Sequence, residues 1–333
     1  MTRLLVAGTG LIGHRHMRHI LDHPDLTLAG IIDPVPENRA LADVPGFDEI
    51  DSVDVEADGI VIATPTESHT PLAVKALERG WHALVEKPLA ESLEAADRMI
   101  AAADATGMHI LVGHHRRHHP AVAKLKEIVS GGNLGQPVLA SLIWAMRKPD
   151  DYFDLAWRSG MNGAPVKQNL IHEVDTLRYL FGEVIDVIGT GSNAVRSAAR
   201  TESGGAVMTF DSGVIVTIAF ADTTPTPWGF EAGTGENPMI PKTGQDCLRI
   251  AFTRGGIEFP SLRIWSGAEN WTERLEMSQA KAETAVPLVR QLEHFAAVIA
   301  GRMEPLVNAR DGRKTLAATL RLEQVTLPRG IAE

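Results

Sequence analysis

The sequence is poor in cysteine and in positive charge, and each shortage excludes a class of protein. Its 333 residues include one cysteine, Cys247, so an internal disulfide is impossible and no second thiol is available for a metal site. Basic side chains number 32 against 42 acidic ones, and the net charge of -10 disfavours binding to nucleic acid or to an anionic membrane surface. We therefore expect a small-molecule partner.

Long apolar runs are also absent. No window approaches the roughly 18 consecutive apolar residues that a membrane-spanning helix needs. The apolar run after Met1-Thr2-Arg3 is too short for the core of a signal peptide. We expect no membrane attachment and a cytoplasmic location. Hydrophobic residues make up 44% of the chain, which is enough to fill a core in each of two domains.

Short apolar runs and helical stretches alternate over the first third of the chain. Five runs have the length and continuous apolar character of strands buried on both faces: residues 4–7, 28–32, 59–63, 82–85 and 109–112. Helices are predicted between them, at residues 11–21, 68–79 and 92–106. Strands that alternate with helices are typical of a doubly wound parallel sheet, so we predict an α/β domain over residues 1–120.

The ends of two of these helices carry boundary signals. Ser68 and Ser92 are predicted N-caps, because a serine hydroxyl can accept a hydrogen bond from a free N–H of the first turn. Gly80 and Gly107 stand where a helix needs a left-handed residue to end.

The first strand leads directly into a glycine-rich turn, Gly8-Thr9-Gly10-Leu11-Ile12-Gly13. This G-x-G-x-x-G spacing permits a tight turn, a close approach to a pyrophosphate and close packing of the following helix on the strand. Asp33 ends the second strand, where a carboxylate can accept hydrogen bonds from an adenosine ribose and would repel a 2′-phosphate. The pattern predicts a dinucleotide site that prefers NAD to NADP. The alternative is a glycine turn that only packs a helix on a sheet.

Two further motifs follow the third and fourth strands: Ala63-Thr64-Pro65-Thr66-Glu67-Ser68-His69 and Glu86-Lys87-Pro88-Leu89-Ala90. Together with the glycine turn they resemble signatures of the Gfo/Idh/MocA oxidoreductases, NAD(P)-dependent enzymes that act on sugars, inositols and related polyols. Later segments resemble the same family in the same order, at residues 113–120, 157–158, 171–175, 287–301 and 305–312. The resemblance covers nearly the whole chain and implies an N-terminal Rossmann domain.

We expect the cofactor contacts to come from the three motifs. The residues are Gly8, Gly10, Leu11, Ile12, Gly13, Asp33, Thr64, Pro65, His69, Glu86 and Lys87.

Lys87 is the first catalytic candidate, because the family's Glu-Lys-Pro motif carries a catalytic lysine. It comes directly after a predicted parallel strand, at the carboxyl edge where open α/β sheets bind ligands. A lysine there can position a substrate hydroxyl and stabilise a developing alkoxide. A solvated surface lysine is the alternative.

His172 is the second catalytic candidate and lies in Ile171-His172-Glu173-Val174-Asp175, which resembles the family's second catalytic motif. An imidazole can take the hydroxyl proton as the hydride leaves. Asp175, three residues on, lies on the same helical face and either contacts substrate hydroxyls or is a solvated carboxylate. The family often has an aspartate four residues before this histidine, but here the residue is Gln168, which cannot raise basicity by charge and leaves the substrate class open.

Three more residues are substrate candidates, namely His115, Arg117 and Trp157. The run His114-His115-Arg116-Arg117-His118-His119 also invites a metal hypothesis, which we do not favour because adjacent histidines diverge and no carboxylate joins them. Arg116 and Arg117 either recognise an anionic group on the substrate or form ion pairs between the two domains.

The second part of the chain, residues 121–333, has a different pattern. A helix at residues 121–129 is followed by strand-like runs at residues 138–145, 184–194, 206–210, 214–220, 247–252 and 263–266. We predict an α+β domain with a large, open, mainly antiparallel sheet, and a long loop at residues 223–244. Apolar residues on both faces of the run 217–220 indicate a homodimer or homotetramer formed through this sheet, as the resemblance also implies.

The sequence thus predicts reversible hydride transfer between NAD and a secondary alcohol of a sugar, inositol or related cyclic polyol. Two alternatives stay open. One is a glycosidase or lyase that uses bound NAD without net redox change, and the other is a catalytically silent sensor of the cofactor.

Overall fold

The computed structural model describes residues 1–154, 158, 160 and 163–328. The chain folds into two compact units. The first unit contains residues 1–119 together with residues 285–317, and the second contains residues 120–284 together with the chain from residue 318 onward. Each unit has its own sheet and its own core.

The first unit is built on a six-stranded sheet in which every pairing is parallel. Its strands are β1 Thr2–Ala7, β2 Leu26–Ile32, β3 Gly46–Phe47, β4 Gly59–Ile62, β5 His82–Val85 and β6 Ile110–Val112. The spatial order β3-β2-β1-β4-β5-β6 reverses direction between β1 and β4, and this is the order of doubly wound dinucleotide-binding folds. The predicted parallel sheet is confirmed.

Helices flank this sheet, and residues near the C-terminus contribute two of them. The helices are α1 Leu11–Leu21, α2 Pro36–Arg39, α3 His69–Glu78, α4 Leu93–Thr106, α8 Pro287–Ile299 and the first half of α9 Ala309–Val325. Met17 and Ile20 of α1 and Leu292 and Phe295 of α8 pack in one apolar cluster with the central strands. Burial of these apolar side chains holds the two helices against the sheet.

Three of the four helix-end predictions are confirmed. Ser92 accepts a hydrogen bond from the backbone N of Ala95 at 3.1 Å, as an N-cap does. Gly80 and Gly107 have φ values of 79° and 72°. The prediction for Ser68 was wrong: it lies in a single 3₁₀ turn before α3, and its hydroxyl donates to the carbonyl oxygen of Pro65 at 2.7 Å.

The second unit is built on an eight-stranded sheet of order β14-β13-β12-β11-β7-β10-β9-β8. Its strands are β7 Pro137–Ala145, β8 Val184–Ser192, β9 Ser203–Phe210, β10 Ile215–Ala221, β11 Leu248–Phe252, β12 Gly255–Phe259, β13 Arg263–Ser266 and β14 Glu276–Gln279. All pairings are antiparallel except β7 with β10. The mainly antiparallel sheet is confirmed, although β12 and β14 were not predicted.

One face of this sheet packs on the helices α5 Pro120–Ser130 and α6 Ile171–Phe181. Strand β10 shows the alternation clearly, since Val216, Ile218 and Phe220 are buried while the residues between them are exposed. The segment 223–244, which we predicted as a loop, also contains the short helix α7 Phe230–Thr234.

Candidate active site

The turn between β1 and α1 contains three glycines, and close packing requires glycine at two of these positions. Gly8 has a φ of 81°, and a Cβ built on it would lie 2.8 Å from the carbonyl oxygen of Ala63. A Cβ on Gly13 would lie 1.9 Å from the carbonyl oxygen of Gly8. Neither position can hold a side chain without moving the backbone. The first turn of α1 is thereby fixed against the strand.

Gly10 differs, because a Cβ there would meet no protein atom within 4 Å among the described residues. The space beside Gly10 is open. Gly10 is also the N-cap residue of α1, and it has no side chain that could accept a hydrogen bond from the first turn of the helix. Leu11, the next residue, is 81% exposed, and Ile12 is half-buried. The free N–H groups of the first turn therefore face an open cradle that fits the pyrophosphate of a dinucleotide.

Asp33 ends β2 beside this cradle and is held by four hydrogen bonds. One carboxylate oxygen accepts from the backbone N and the hydroxyl of Thr9 at 3.0 and 2.8 Å, and the other accepts from the backbone N of Val35 and the amide of Asn38, both at 3.0 Å. Burial alone would raise the pKa of the Asp33 carboxyl, but these hydrogen bonds lower it. The group is a fixed negative charge at the edge of the cradle.

His69 joins the loops that follow β4 and β5. Its ring is buried, with Nε2 at 2.9 Å from the carbonyl oxygen of Thr64 and Nδ1 at 3.0 Å from that of Pro88. Pro65 is exposed at the same edge. The hydroxyl oxygen of Thr64 is buried and has no hydrogen-bond partner among the described residues. A ligand bound beside the cradle can form the hydrogen bond that this hydroxyl lacks.

Glu86 and Lys87 follow β5, and the Lys87–Pro88 peptide bond is cis. Oε1 of buried Glu86 lies 2.7 Å from Nε2 of buried His16 in α1, and its Oε2 accepts from the backbone N of Lys87 at 3.3 Å. Burial alone would raise the pKa of the Glu86 carboxyl, but the hydrogen bond and charge of His16, with the charges of His115 and Lys87, lower it to about 2. Lys87 is half-buried beside this carboxylate.

The contact of His16 with the carboxylate of Glu86 was not predicted from the sequence. Gly13, His16, Met17 and Ile20 are the buried residues of α1 and follow helical spacing. That spacing was the available signal, because it places His16 on the face of α1 that packs against the sheet.

The predicted residues His115 and Arg117 lie in a 3₁₀ turn, His115–His118, after β6. Arg117 is buried, and its Nη1 lies 2.7 Å from Oδ2 of Asp311. Both residues of this ion pair belong to the first unit. Across the described residues, no group of three or more histidine, cysteine or acidic side chains could hold a metal ion.

His172 lies in the first turn of α6, after a π-helical turn, Val166–Leu170, that contains half-buried Gln168. Single π-helical turns are often found at functional sites. His172 is 7% exposed and Asp175 is fully buried, so the solvated alternative for Asp175 was wrong. The predicted substrate residue Trp157 lies outside the described residues.

A parallel sheet of this order, with an open glycine cradle and a carboxylate after its second strand, defines a dinucleotide-binding protein. Two family models match the chain. The model described as "Oxidoreductase family, NAD-binding Rossmann fold" matches residues 2–114, and that of the "GFO/IDH/MocA C-terminal domain" matches residues 122–258. The chain belongs to the Gfo/Idh/MocA oxidoreductase family, and its cofactor is NAD.

Curated relatives are similar at modest identity. Inositol 2-dehydrogenase 4 of Saccharopolyspora erythraea is 31% identical over 230 residues, which are 65% of each chain. The 1,5-anhydro-D-fructose reductase of Ensifer adhaerens is 27% identical over 274 residues, 80% of this chain and 77% of that protein. The match spans less than two thirds of the length of the inositol dehydrogenases.

Solved structures share the fold over nearly the full length. The WlbA dehydrogenase from Bordetella pertussis, in complex with NADH and UDP-GlcNAcA, has a TM-score of 0.77 at 22% identity, and the match covers 97% of this chain and 96% of that one.

No described helix is long and apolar enough to cross a membrane.

Proposed function

We propose that the protein is an NAD-dependent dehydrogenase that oxidises a secondary alcohol of a sugar, an inositol or a related cyclic polyol. The observation that carries this proposal is the position of Lys87 directly after β5. Strand β5 is two strands from β1 in the sheet, so the backbone of Lys87 is roughly 10 Å from the glycine cradle. Its relatives include an inositol 2-dehydrogenase and a 1,5-anhydro-D-fructose reductase, whose names give a cyclic polyol and a sugar derivative as substrates.

Each candidate residue then has a defined task. NAD, when bound in the cradle, supplies the hydride acceptor. The ammonium of Lys87 donates a hydrogen bond to the substrate hydroxyl and stabilises the negative charge that develops on its oxygen. The ring of His172 accepts the hydroxyl proton, and the carboxamide of Gln168 orients a substrate hydroxyl. The ionised carboxylate of Glu86, next to Lys87 in the chain, supports the positive charge of the ammonium.

The test measures NADH formation by absorbance with purified protein, NAD and a panel of inositols, aldoses, uronic acids and cyclic dihydrodiols, with NADP in parallel. We expect one class of substrate to be oxidised and NAD to be preferred over NADP, since the fixed charge of Asp33 repels a 2′-phosphate. Substrate consumption without net NADH would instead identify a redox-neutral glycosidase or lyase.

The lysine is tested on the same substrate. Lys87→Ala should lower turnover about 10²-fold or more, the usual effect of losing a positioned acid-base group, while NADH still binds. Lys75→Ala is the matched control, because Lys75 is an exposed lysine of the same unit that pairs with Asp51 at the surface. Equal turnover by the Lys87 variant and the control would refute the assignment.

We also propose that the protein assembles as a homodimer or homotetramer through the sheet of the second unit. The open face of that sheet carries exposed apolar residues, including Leu139, Ile188 and Ile215, at 50%, 62% and 47% exposure. Contiguous exposed apolar surface on a sheet typically marks a protein contact.

A further inference from the structure

A cavity of about 580 Å³ lies in the second unit, and none of the candidate active-site residues lines it. Its volume is within the range of small-molecule sites, roughly 300 to 1,000 Å³. It is formed by the segment after β7 and by the connection from β8 to β9, and is lined by Arg147, Asp150, Phe153, Val195, Arg196, Ala198 and Arg200. Three arginines and one acid line it, so its lining has an excess of positive charge.

Arg200 is the buried cation of this cavity. It is 1% exposed, and its buried Nε and Nη1 have no hydrogen-bond partner anywhere in the part of the chain that the structure describes. Its Nη2 lies 3.9 Å from Oδ2 of Asp222, which is beyond hydrogen-bonding distance. The guanidinium stacks over the ring of Phe153, at 3.8 Å from the ring centroid. A buried guanidinium without hydrogen bonds is costly unless something satisfies it.

Three carboxylates lie around this arginine, and each has another partner for at least one of its oxygens. Asp222 holds Arg196 with Oδ1 at 2.7 Å from Nη1, while its buried Oδ2 has no hydrogen-bond partner among the described residues and lies nearest to Arg200. Asp150 pairs with Arg147 at 3.2 Å and with Arg196 at 3.4 Å. Glu202, fully buried, accepts from the backbone N atoms of residues 195, 196 and 198. These acids hold the loop and the outer arginines in place; Asp222 is a counter-charge for Arg200 at 3.9 Å, but none of the three acids accepts a hydrogen bond from its guanidinium.

We propose that this cavity binds a small organic anion, a carboxylate or a phosphate, through the guanidinium of Arg200. A planar guanidinium offers several N–H donors to such an oxyanion, and charge-assisted hydrogen bonds of this kind are short and strong. The ring of Phe153 fixes the plane of the guanidinium from one side, and Arg147 adds positive charge at a more exposed position.

The anion has two possible sources. It is either an acidic group of the substrate or a separate anionic effector. The first case rests on the proposed dehydrogenase function, whereas binding itself does not.

Binding is tested by calorimetry on the full chain, with inorganic phosphate and glucuronate as probes and neutral glucose as the uncharged comparison. We expect saturable binding of at least one anion, weakened about 10-fold or more in Arg200→Gln, because the charge-assisted hydrogen bonds are lost. Arg274→Gln, which removes an exposed arginine of the same unit, should bind like the wild type. No anion binding, or equal binding by Arg200→Gln, would overturn the proposal.

A second measurement separates a binding role from a structural one. Arg200→Met should lower the melting temperature of the ligand-free protein, because the buried carboxylate of Asp222 loses a counter-charge, so the effect of the anion is the readout that decides. The anion should raise the melting temperature of the wild type but not that of this variant. A lower melting temperature for Arg200→Met, with no anion effect on the wild type, would show a purely structural residue.

Kinetics then separate the two sources. For a substrate anion, glucuronate is oxidised with a higher kcat/KM than glucose, and Arg200→Gln removes that preference. For an effector, phosphate changes the turnover of a neutral substrate without being consumed. Anion binding that depends on Arg200, with no oxidation of any compound in the panel, would refute the dehydrogenase proposal and leave the anion site standing.

Discussion

The ring of His69 holds the carbonyl oxygen of Pro88, nineteen residues away in the chain, at 3.0 Å from its Nδ1. Its other nitrogen lies 2.9 Å from the carbonyl oxygen of Thr64, and a neutral imidazole donates to one of these two carbonyls and contacts the other. One buried ring therefore ties together two of the loops at the carboxyl edge of the parallel sheet. Because Pro88 directly follows Lys87, the position of the proposed catalytic lysine depends on this contact.

His69→Leu should lower kcat by about 10-fold or more, since the loop that carries Lys87 loses its anchor and small displacements of a positioned group are costly. The free energy of unfolding should fall by about 1 to 3 kcal/mol, because a partly buried carbonyl oxygen loses the N–H of the ring as its donor. Steady-state kinetics and denaturant unfolding measure the two effects. Ser68→Ala is the control, since that hydroxyl donates to the carbonyl oxygen of Pro65 in its own turn. Similar kinetics for both variants would refute the anchoring role.

Two glycines of one turn should respond differently to the same substitution. Gly10→Ala places a methyl group in open space, so the free energy of unfolding should stay near that of the wild type. NADH affinity should fall about 10-fold or more, because the methyl group occupies the cradle proposed for the pyrophosphate.

Gly13→Ala is the comparison, because its methyl group would overlap the carbonyl oxygen of Gly8. We expect this variant to lose stability in denaturant unfolding. Unchanged NADH affinity in Gly10→Ala, measured by fluorescence titration, would show that the cradle does not bind the cofactor.

The sequence predicted the elements that have a strong local pattern. Long apolar runs such as residues 82–85 correspond to buried strands, and the glycine spacing correctly preceded α1. Strand β3, with two residues, and strand β14, with all four residues exposed, have no such pattern. These strands form because a neighbouring strand offers free hydrogen-bonding groups, which depends on the folded sheet and not on local sequence.

The residues of the candidate site also divide into those with a local sequence pattern and those that are brought together by folding. Gly8, Gly10, Gly13 and Asp33 are recognisable because their spacing is local and is required by the turn. The contact between His16 and Glu86 joins residues 70 positions apart, and the cavity of Arg200 depends on Phe153, which lies 47 positions earlier. Such contacts are set by how the elements pack, so they become visible only in the folded chain.

Glu86 makes stability depend on pH in the acid range. Its folded-state pKa of about 2 lies below the ordinary value of 4.5, so its contribution is fully present above about pH 4.5 and is lost as the pH falls toward 2. At 1.36 kcal/mol for each unit of pKa, the contribution is about 3 kcal/mol. The free energy of unfolding should therefore fall less steeply in Glu86→Gln than in the wild type as the pH is lowered from 7 to 2.5, measured by denaturant unfolding.

Glu67→Gln is the control for this measurement, because it removes an exposed carboxylate of the same unit. Its curve of unfolding free energy against pH should follow that of the wild type. Parallel curves for all three proteins would mean that the charge of Glu86 does not contribute to stability.

The open face of the second sheet should set the oligomeric state. Strand register forms one row without charged side chains across six of its strands, in the order Met277, Trp265, Gly256, Ala251, Leu139 and Ile215. In a symmetric dimer the same surface meets its own copy, so carboxylates introduced there face each other without counter-charges. Leu139→Glu combined with Ile215→Glu should therefore give a monomer, measured by size-exclusion chromatography with light scattering, where the wild type is a dimer or tetramer.

Both positions are about half exposed in the single chain, so the fold of this double variant should persist, with an unchanged circular dichroism spectrum. Leu21→Glu, at an apolar position of the first unit that is 52% exposed, is the control and should keep the wild-type mass. A wild-type protein that is monomeric at micromolar concentration would refute the interface. A double variant that keeps the wild-type mass would assign the assembly to another surface, because an interface centred on this row cannot bury four unpaired carboxylates without a large cost in free energy.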